Sequence, residues 1–344
     1  MVTMKQAMLW EARDGVVACR LCAHRCKISD GKRGLCDVRL NSGGALQSLV
    51  YGKLISSAVD PIEKKPLYNF LPGTRSYSIA TAGCNFRCDF CQNWQISQAV
   101  RDGAGIPGED WTPEQVVAEA GSSGCASISY TYTEPTIFFE FAYDTALVAA
   151  REGLRNVFVT NGYQTPETVE KMAGVIDAAN VDLKSFSDEF YKRLCGARLA
   201  PVLEAIRLMH EKGIFLEITT LVIPGENDRP EELGQIAEFI AGVSPEIPWH
   251  VSRYHPDYRH RGSSWTSSEG VIRAAEIGLA SGLKYVYAGN LPAGRFENTY
   301  CPACGAELIA RSGFSSWKTG LARAAGATGG ACCGTCGARV NVVL

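Results

Sequence analysis

No stretch of this 344-residue sequence reaches the roughly 18 consecutive apolar residues that a membrane-spanning helix needs. Residues Met1 to Cys19 likewise lack the apolar centre of a secretory signal peptide. Neither sign of charge dominates: 34 Lys and Arg against 36 Asp and Glu leave a net charge of -2, with a pI near 6.3. Such a balance supplies no global field for gripping a nucleic-acid backbone or an anionic membrane, so neither is expected as a partner. An apolar fraction of 46%, a charged fraction of 20% and a mean hydropathy of -0.04 exclude a disordered chain, a collagen-like repeat and a coiled coil. The expectation is a cytoplasmic globular protein, with room for about two domains or for one large barrel with small attachments.

Against these absences stand 14 cysteines. Where thiols stay reduced, that number reads as metal ligands or catalytic groups before it reads as disulfides. Cys19, Cys22, Cys26 and Cys36 form one group, Cys84, Cys88 and Cys91 a second, and Cys301, Cys304, Cys332, Cys333 and Cys336 a third, while Cys125 and Cys195 stand alone.

Between the second and third groups, β-rich apolar runs alternate with helical patterns, which predicts a parallel α/β core. The strand candidates are Tyr77–Thr81, Ser127–Tyr132, Asn156–Thr160, Asn180–Leu183, Phe215–Ile223, Trp249–Tyr254 and Lys284–Tyr287. Helices are expected at Pro113–Ala120, Ile137–Arg151, Pro166–Gly174, Pro201–Lys212 and Pro230–Ala241, with Pro in a first turn where its missing N–H costs nothing. Three segments follow: a cysteine-rich lead-in at residues 1–50, the α/β body at 51–295, and a small module at 296–344 whose Ala- and Gly-rich stretch Leu321–Ala331 reads as a flexible loop.

Cys84, Cys88 and Cys91 have the spacing C-x3-C-x2-C just after a strand candidate. Three thiolates on one loop hold three irons of a [4Fe-4S] cubane and leave the fourth open to a small molecule. A structural zinc site would want a fourth ligand, which the loop does not supply. Asp182 and Lys184, at i and i+2, point to one face of their strand and form a natural ion pair.

This loop, with Phe90 just before its last cysteine, resembles the signature of the radical S-adenosylmethionine (SAM) superfamily. The resemblance implies a partial (β/α)6 barrel over about residues 75–290, in which the open iron chelates SAM and an electron splits it to methionine and a 5'-deoxyadenosyl radical. It also implies SAM contacts from Phe90, Thr133 and Glu134, from Thr160 and Asn161, from Asp182 and Lys184, and from His255. Tyr132-Thr133-Glu134-Pro135 stands where the superfamily carries Gly-Gly-Glu; with both glycines absent, the Glu134 carboxylate and Thr133 hydroxyl take over recognition of the SAM ammonium.

Over nearly the whole chain, Cys19-Arg-Leu-Cys22-Ala-His-Arg-Cys26, Asp60-Pro-Ile-Glu-Lys-Lys-Pro66, Tyr130-Thr-Tyr-Thr-Glu-Pro135, Leu194-Cys-Gly196 and His250-Val-Ser-Arg-Tyr-His-Pro256 resemble the AmmeMemoRadiSam-system radical SAM enzymes, relatives of pyruvate formate-lyase-activating enzyme. Implied partners are an external electron donor, a protein substrate, and Memo-like and AMME-domain proteins. The expected reaction is hydrogen abstraction from a backbone glycine, another residue or a small molecule. Two rivals use the same residues: an open-iron (de)hydratase, and a non-catalytic iron-sulfur or zinc protein for electron transfer or scaffolding.

Cys301-Pro-Ala-Cys304-Gly and Cys333-Gly-Thr-Cys336-Gly are two C-x2-C knuckles whose four thiolates suit a zinc-ribbon-like site, with Cys332 a bystander. A rubredoxin-like iron or a second cluster is the alternative. Cys19, Cys22, Cys26 and Cys36 offer another four-thiolate site, with zinc favoured as a staple for a segment of little core, an auxiliary [4Fe-4S] cluster as the rival, and His24 as a substitute ligand. Cys195 reads as a buried small residue or a redox thiol.

Overall fold

The structure, a computed structural model, describes residues 4–101, 105–262, 264–323 and 330–344. Its main sheet opens with an antiparallel pair, β1 (Lys53–Pro61) against β2 (Arg75–Thr81). From β2 the strands run parallel and in sequence order: β3 (Ser127–Tyr130), β4 (Arg155–Thr160), β5 (Ala178–Asp182), β6 (Phe215–Val222), β7 (Trp249–Arg253) and β8 (Val286–Gly289). All seven expected strands are present; β1 lay outside the expectation. A helix fills each of the six crossovers: α1 (Pro113–Ser122), α2 (Phe139–Arg151), α3 (Pro166–Met172), α4 (Leu199–Glu211), α5 (Pro230–Val243) and α6 (Ser268–Ala280).

Local chemistry fixes the helix starts. Thr112 and Gln115 close a capping box on α1, and the side chains of Thr165 and Ser267 accept N–H bonds at the heads of α3 and α6. Pro leads α1, α3 and α5. Apolar stripes, such as Phe139, Ala142, Ala146 and Ala149 on α2, then bury against the sheet.

Strand side chains alternate between two faces. Ile79, Ile128, Phe158, Val181, Ile218 and Val251 are wholly buried apolar residues, each worth roughly 1.5–3 kcal/mol of burial. The alternate positions are polar: Ser76, Ser78, Ser129, Asn180, Glu217, Thr219 and Ser252 are also buried. They satisfy one another, as in the Ser76–Ser129 hydroxyl pair at 2.6 Å and the Thr219–Asn180 bond at 2.9 Å.

A single cavity of about 400 Å³ touches the carboxyl ends of all seven parallel strands, from Cys84 after β2 to Asn290 after β8. Laid flat, seven strands at about 4.8 Å spacing would span roughly 29 Å. The sheet therefore curls around the cavity.

The lead-in is built of short antiparallel strands, among them Val16–Cys19, Arg39–Ser42 and Ala45–Ser48. Its Val17, Leu21, Ile28, Val38 and Leu46 are buried in the same apolar core as the main sheet. The last segment has a small core of its own around Leu308, Ile309, Val340 and Val342. It grips the sheet's base through Arg311, which donates to the Tyr68 carbonyl at 2.6 Å and lies over that ring, and through Val343 N–H to Asn69 O at 2.8 Å. Of the expected flexible stretch Leu321–Ala331, Leu321–Arg323 and Ala331–Cys333 pair as strands, which corrects that expectation there. Residues 324–329 lie outside the described residues.

Candidate active site

The cysteine loop leaves β2 through Gly83, whose φ of +105° and tight surroundings require glycine: a Cβ there would stand 2.9 Å from Val38 Cγ1. Backbone bonds then fasten the loop, with Arg87 N–H donating to Cys195 O and Asp89 N–H to Leu194 O, both at 2.9 Å. Arg101 adds a clamp, donating to Cys84 O at 2.9 Å and Phe86 O at 3.1 Å. The result presents Cys84, Cys88 and Cys91 to the cavity.

Burial pushes the Cys84 thiol well above its ordinary range, and the Glu134 carboxylate pushes it further. Burial likewise raises Cys91, partly offset by the Ser97 hydroxyl 3.3 Å away. Cys88 is raised first by the neighbouring Cys195 thiol, then by burial. Thiols in this state ionise when a cation takes the proton's place. Cys195 does not line the cavity, so three thiols face it. That donor set fits a cubane with one exposed corner better than a closed structural ion.

The remaining expected residues gather here, with one exception. Phe90, Thr133, Glu134, Thr160, Asn161, Asp182 and Lys184 all line the cavity. His255 does not: it packs at a tilt against exposed Trp265, ring centres 5.4 Å apart. His250, at the start of β7, bonds buried Glu217 at 2.6 Å.

Glu134 is 1% exposed and already well supplied with donors. Its Oε1 accepts from Thr136 N–H at 3.0 Å, from the Thr136 hydroxyl and from Thr160 Oγ1 at 2.7 Å; its Oε2 accepts from Asn161 N–H at 2.8 Å. Burial raises its pKa while these donors oppose the rise. Glu134 thus caps the 3-10 turn Pro135–Phe138 and ties the β3 and β4 loops together. The Thr133 hydroxyl donates to Thr81 O at 2.9 Å, and Asn161 Nδ2 to Asn85 Oδ1 at 2.7 Å.

Lys184 Nζ lies 2.9 Å from Asp182 and 5.8 Å from the centre of the Phe90 ring. Burial opposes its charge, but the facing Asp182 carboxylate together with the Cys88 and Cys195 sulfurs outweighs it, and its pKa is well raised. The pair brings a fixed cation and anion to the cavity wall beside the cysteines.

A second polar group was not singled out as functional from sequence. Lys64 and Lys65 line the cavity and both bond Asp60, at 2.8 and 2.6 Å. Tyr132 hydrogen-bonds the same carboxylate, from a backbone at φ +61° that only a turn imposes on a tyrosine. Burial lowers Lys65 to about 8 against the pull of Asp60. The Lys64-Lys65 doublet between Pro61 and Pro66 is the signal that was available.

Residues 78–240 match the sequence family described as the Radical SAM superfamily. An uncharacterized protein of Methanocaldococcus jannaschii is 43% identical over 343 residues, covering 99% of this chain and 100% of that one. The chain belongs to the radical SAM superfamily. Pyruvate formate-lyase 1-activating enzyme of Escherichia coli (strain K12) is 24% identical over 183 residues, 52% of this chain and 74% of that enzyme. In fold, the chain is similar to Streptococcus suis SuiB bound to S-adenosylmethionine, with a TM-score of 0.50 and 16% identity over 70% of this chain and 56% of that one. This radical SAM protein is an enzyme with activating-enzyme relatives, which removes the non-catalytic scaffold from consideration. Among its described residues no helix is long and apolar enough to cross a membrane.

At the other end, the Cys301, Cys304, Cys333 and Cys336 sulfurs all lie within 4.8 Å of one another, with Cys301–Cys336 and Cys304–Cys333 at 3.7 Å. The two knuckles repeat one geometry. Cys301 and Cys333 N–H donate to Ala306 and Ala338 O, and Gly305 and Gly337, at φ +76° and +75°, donate back to the same cysteines.

Proposed function

We propose that the cavity at the strand ends is where a [4Fe-4S] cluster on Cys84, Cys88 and Cys91 binds and reductively cleaves SAM, in a partial (β/α)6 barrel of the AmmeMemoRadiSam type. The observation that carries this reading is the convergence of three loop cysteines, and no fourth, on a cavity of about 400 Å³, a size within the range for small ligands. When bound, the cluster supplies an open iron and an electron from an external donor, yielding methionine and a 5'-deoxyadenosyl radical that abstracts hydrogen.

The chain's own residues then bind and orient. Asp182 and Lys184 offer opposite charges to the zwitterionic amino-acid end of SAM. Glu134 faces the ammonium side and, through Thr160 and Asn161, sets the β4 loop where the ribose would lie. Likeness to activating enzymes supports a protein residue, a backbone glycine foremost, as the hydrogen donor, with Memo-like and AMME-domain proteins as candidate partners. At the C-terminal knuckles we propose zinc: a tetrahedron with bonds of about 2.3 Å has sulfur–sulfur edges of about 3.8 Å, and two of the sulfur pairs stand at 3.7 Å.

The test is anaerobic incubation of the reduced protein with SAM. Formation of 5'-deoxyadenosine and methionine is expected, together with a SAM-dependent change in the cluster's electron paramagnetic resonance (EPR) spectrum. Cys88→Ala should lose all cleavage while its far-ultraviolet circular dichroism stays that of the parent. Full cleavage by that variant would sink the assignment, as would an EPR spectrum indifferent to SAM.

A further inference from the structure

The four N-terminal cysteines form a second thiol set, away from the SAM cavity. Cys19, Cys22, Cys26 and Cys36 all line one recess, together with Arg39, and none is in a disulfide. Their arrangement differs from that of the C-terminal four. Around a single zinc ion the sulfurs close to about 3.8 Å of one another. Among the described residues, the C-terminal set is the one group of three or more ligands whose donor atoms all lie within 4.8 Å. The N-terminal four instead ring a cavity of about 10 Å³. Thiolates gathered on one ion leave no such void, whereas an iron-sulfide core sits between its cysteines and spreads them.

Arg39 is an independent observation. It is 2% exposed; its Nη2 reaches both oxygens of Glu140 at 2.6 Å, while its Nε and Nη1 have no partner. Buried guanidinium donors at the wall of a recess want acceptors. The inorganic sulfides and thiolates of an anionic cluster supply them.

The recess also abuts the central loop. Cys36 O lies 3.4 Å from where a Gly83 Cβ would stand, and a ring nitrogen of His24 donates to Asn85 O at 2.8 Å. Arg101 bonds Leu35 O and Asp37 on one side and Cys84 O on the other. With that His24 nitrogen engaged outside the recess, four thiolates make up the ligand set. We propose that Cys19, Cys22, Cys26 and Cys36 hold a second [4Fe-4S] cluster, packed against the loop of the first.

Metal analysis of the full chain, purified without oxygen and not reconstituted, tests this directly. The expected content is about eight irons and about one zinc per chain. The triple variant Cys84→Ala, Cys88→Ala, Cys91→Ala should keep about four irons and a reducible cluster signal by EPR. In the reciprocal variant, Cys22→Ser with Cys26→Ser, about four irons should remain and the SAM-dependent signal persist. Two zincs in the parent, with no iron left in the triple variant, would overturn the proposal. Four irons in the parent that all survive in the triple variant would leave it standing and remove the central assignment instead.

Discussion

Cys301 and Cys333 each open a knuckle that closes on itself within five residues, and the paired sulfurs are 35 and 29 residues apart in sequence. Cys84, Cys88 and Cys91 are held differently: the backbone of Leu194 and Cys195, the side chain of Arg101, and a shell of polar contacts among the loops after β2, β3 and β4 keep them in place. One site is made by local turns and needs only its ligands. The other is assembled from distant segments and depends on groups that touch no metal. The C-terminal site is therefore expected to fail through its thiols, whereas the strand-end site is expected to fail through its supports as well.

The largest contrast comes from removing C-terminal ligands. Cys301→Ser with Cys336→Ser should abolish zinc binding and unfold the small core around Leu308 and Val340, since a structural zinc contributes on the order of 10 kcal/mol to such modules. Central iron and SAM cleavage should persist; their loss would show that the two sites are not separable. Zinc and iron contents of one preparation give the answer.

The next effect lies in the supports. Burial alone would raise the Asp60 carboxyl, but Lys64, Lys65 and Tyr132 reverse this and hold it well below the ordinary carboxylate range. A depressed carboxyl adds stability above its unfolded pKa of about 4, and loses it as pH falls toward its folded value. Asp60→Asn leaves Lys65, 1% exposed, without its partner, an expected cost of about 3–5 kcal/mol at neutral pH. Below pH 4 the gap between parent and variant should narrow. Denaturant melts across that range check it; a constant gap would mean that Asp60 does not titrate on unfolding.

Smaller again is Glu134→Gln. The amide offers one acceptor oxygen where the carboxylate offered two, so one of the four donors loses its partner, at a cost of roughly 1–3 kcal/mol. SAM affinity should also fall, by about tenfold to a hundredfold if the carboxylate meets the ammonium. Calorimetry against SAM, run beside a denaturant melt, separates the two contributions. Lost stability with unchanged affinity would confine Glu134 to its loop-tying role.

The seven core strands were legible because parallel strands buried on both faces are written as apolar runs ended by polar loops. β1 was not, since Lys53-Leu-Ile-Ser-Ser-Ala-Val-Asp-Pro61 is half-exposed, with three polar residues in its middle and end. The cysteine loop announced itself by spacing, and Asp182 with Lys184 by strand periodicity. Glu134's four donors were invisible, because they come from residues 2 to 27 positions away through loop geometry. Cys195 shows the same limit: nothing local predicts that a lone thiol will raise the pKa of Cys88 across more than a hundred residues.

The docking of the lead-in has a consequence in time. Thr165 and Thr168 hydroxyls bind the carbonyls of Arg20 and Leu21, across 145 and 147 residues of sequence. At about 5–20 residues per second, a ribosome takes roughly 7–30 s to deliver those partners. Through that interval the segment that carries the four N-terminal thiols lacks the α3 end it docks on, while each C-terminal pair meets after roughly 1–7 s. Metal supply and oxygen during synthesis should therefore mark the N-terminal site far more than the C-terminal one. Brief thiol labelling of stalled nascent chains is expected to find Cys22 reactive before residue 165 emerges and shielded afterwards; equal labelling at both stages would rule this order out.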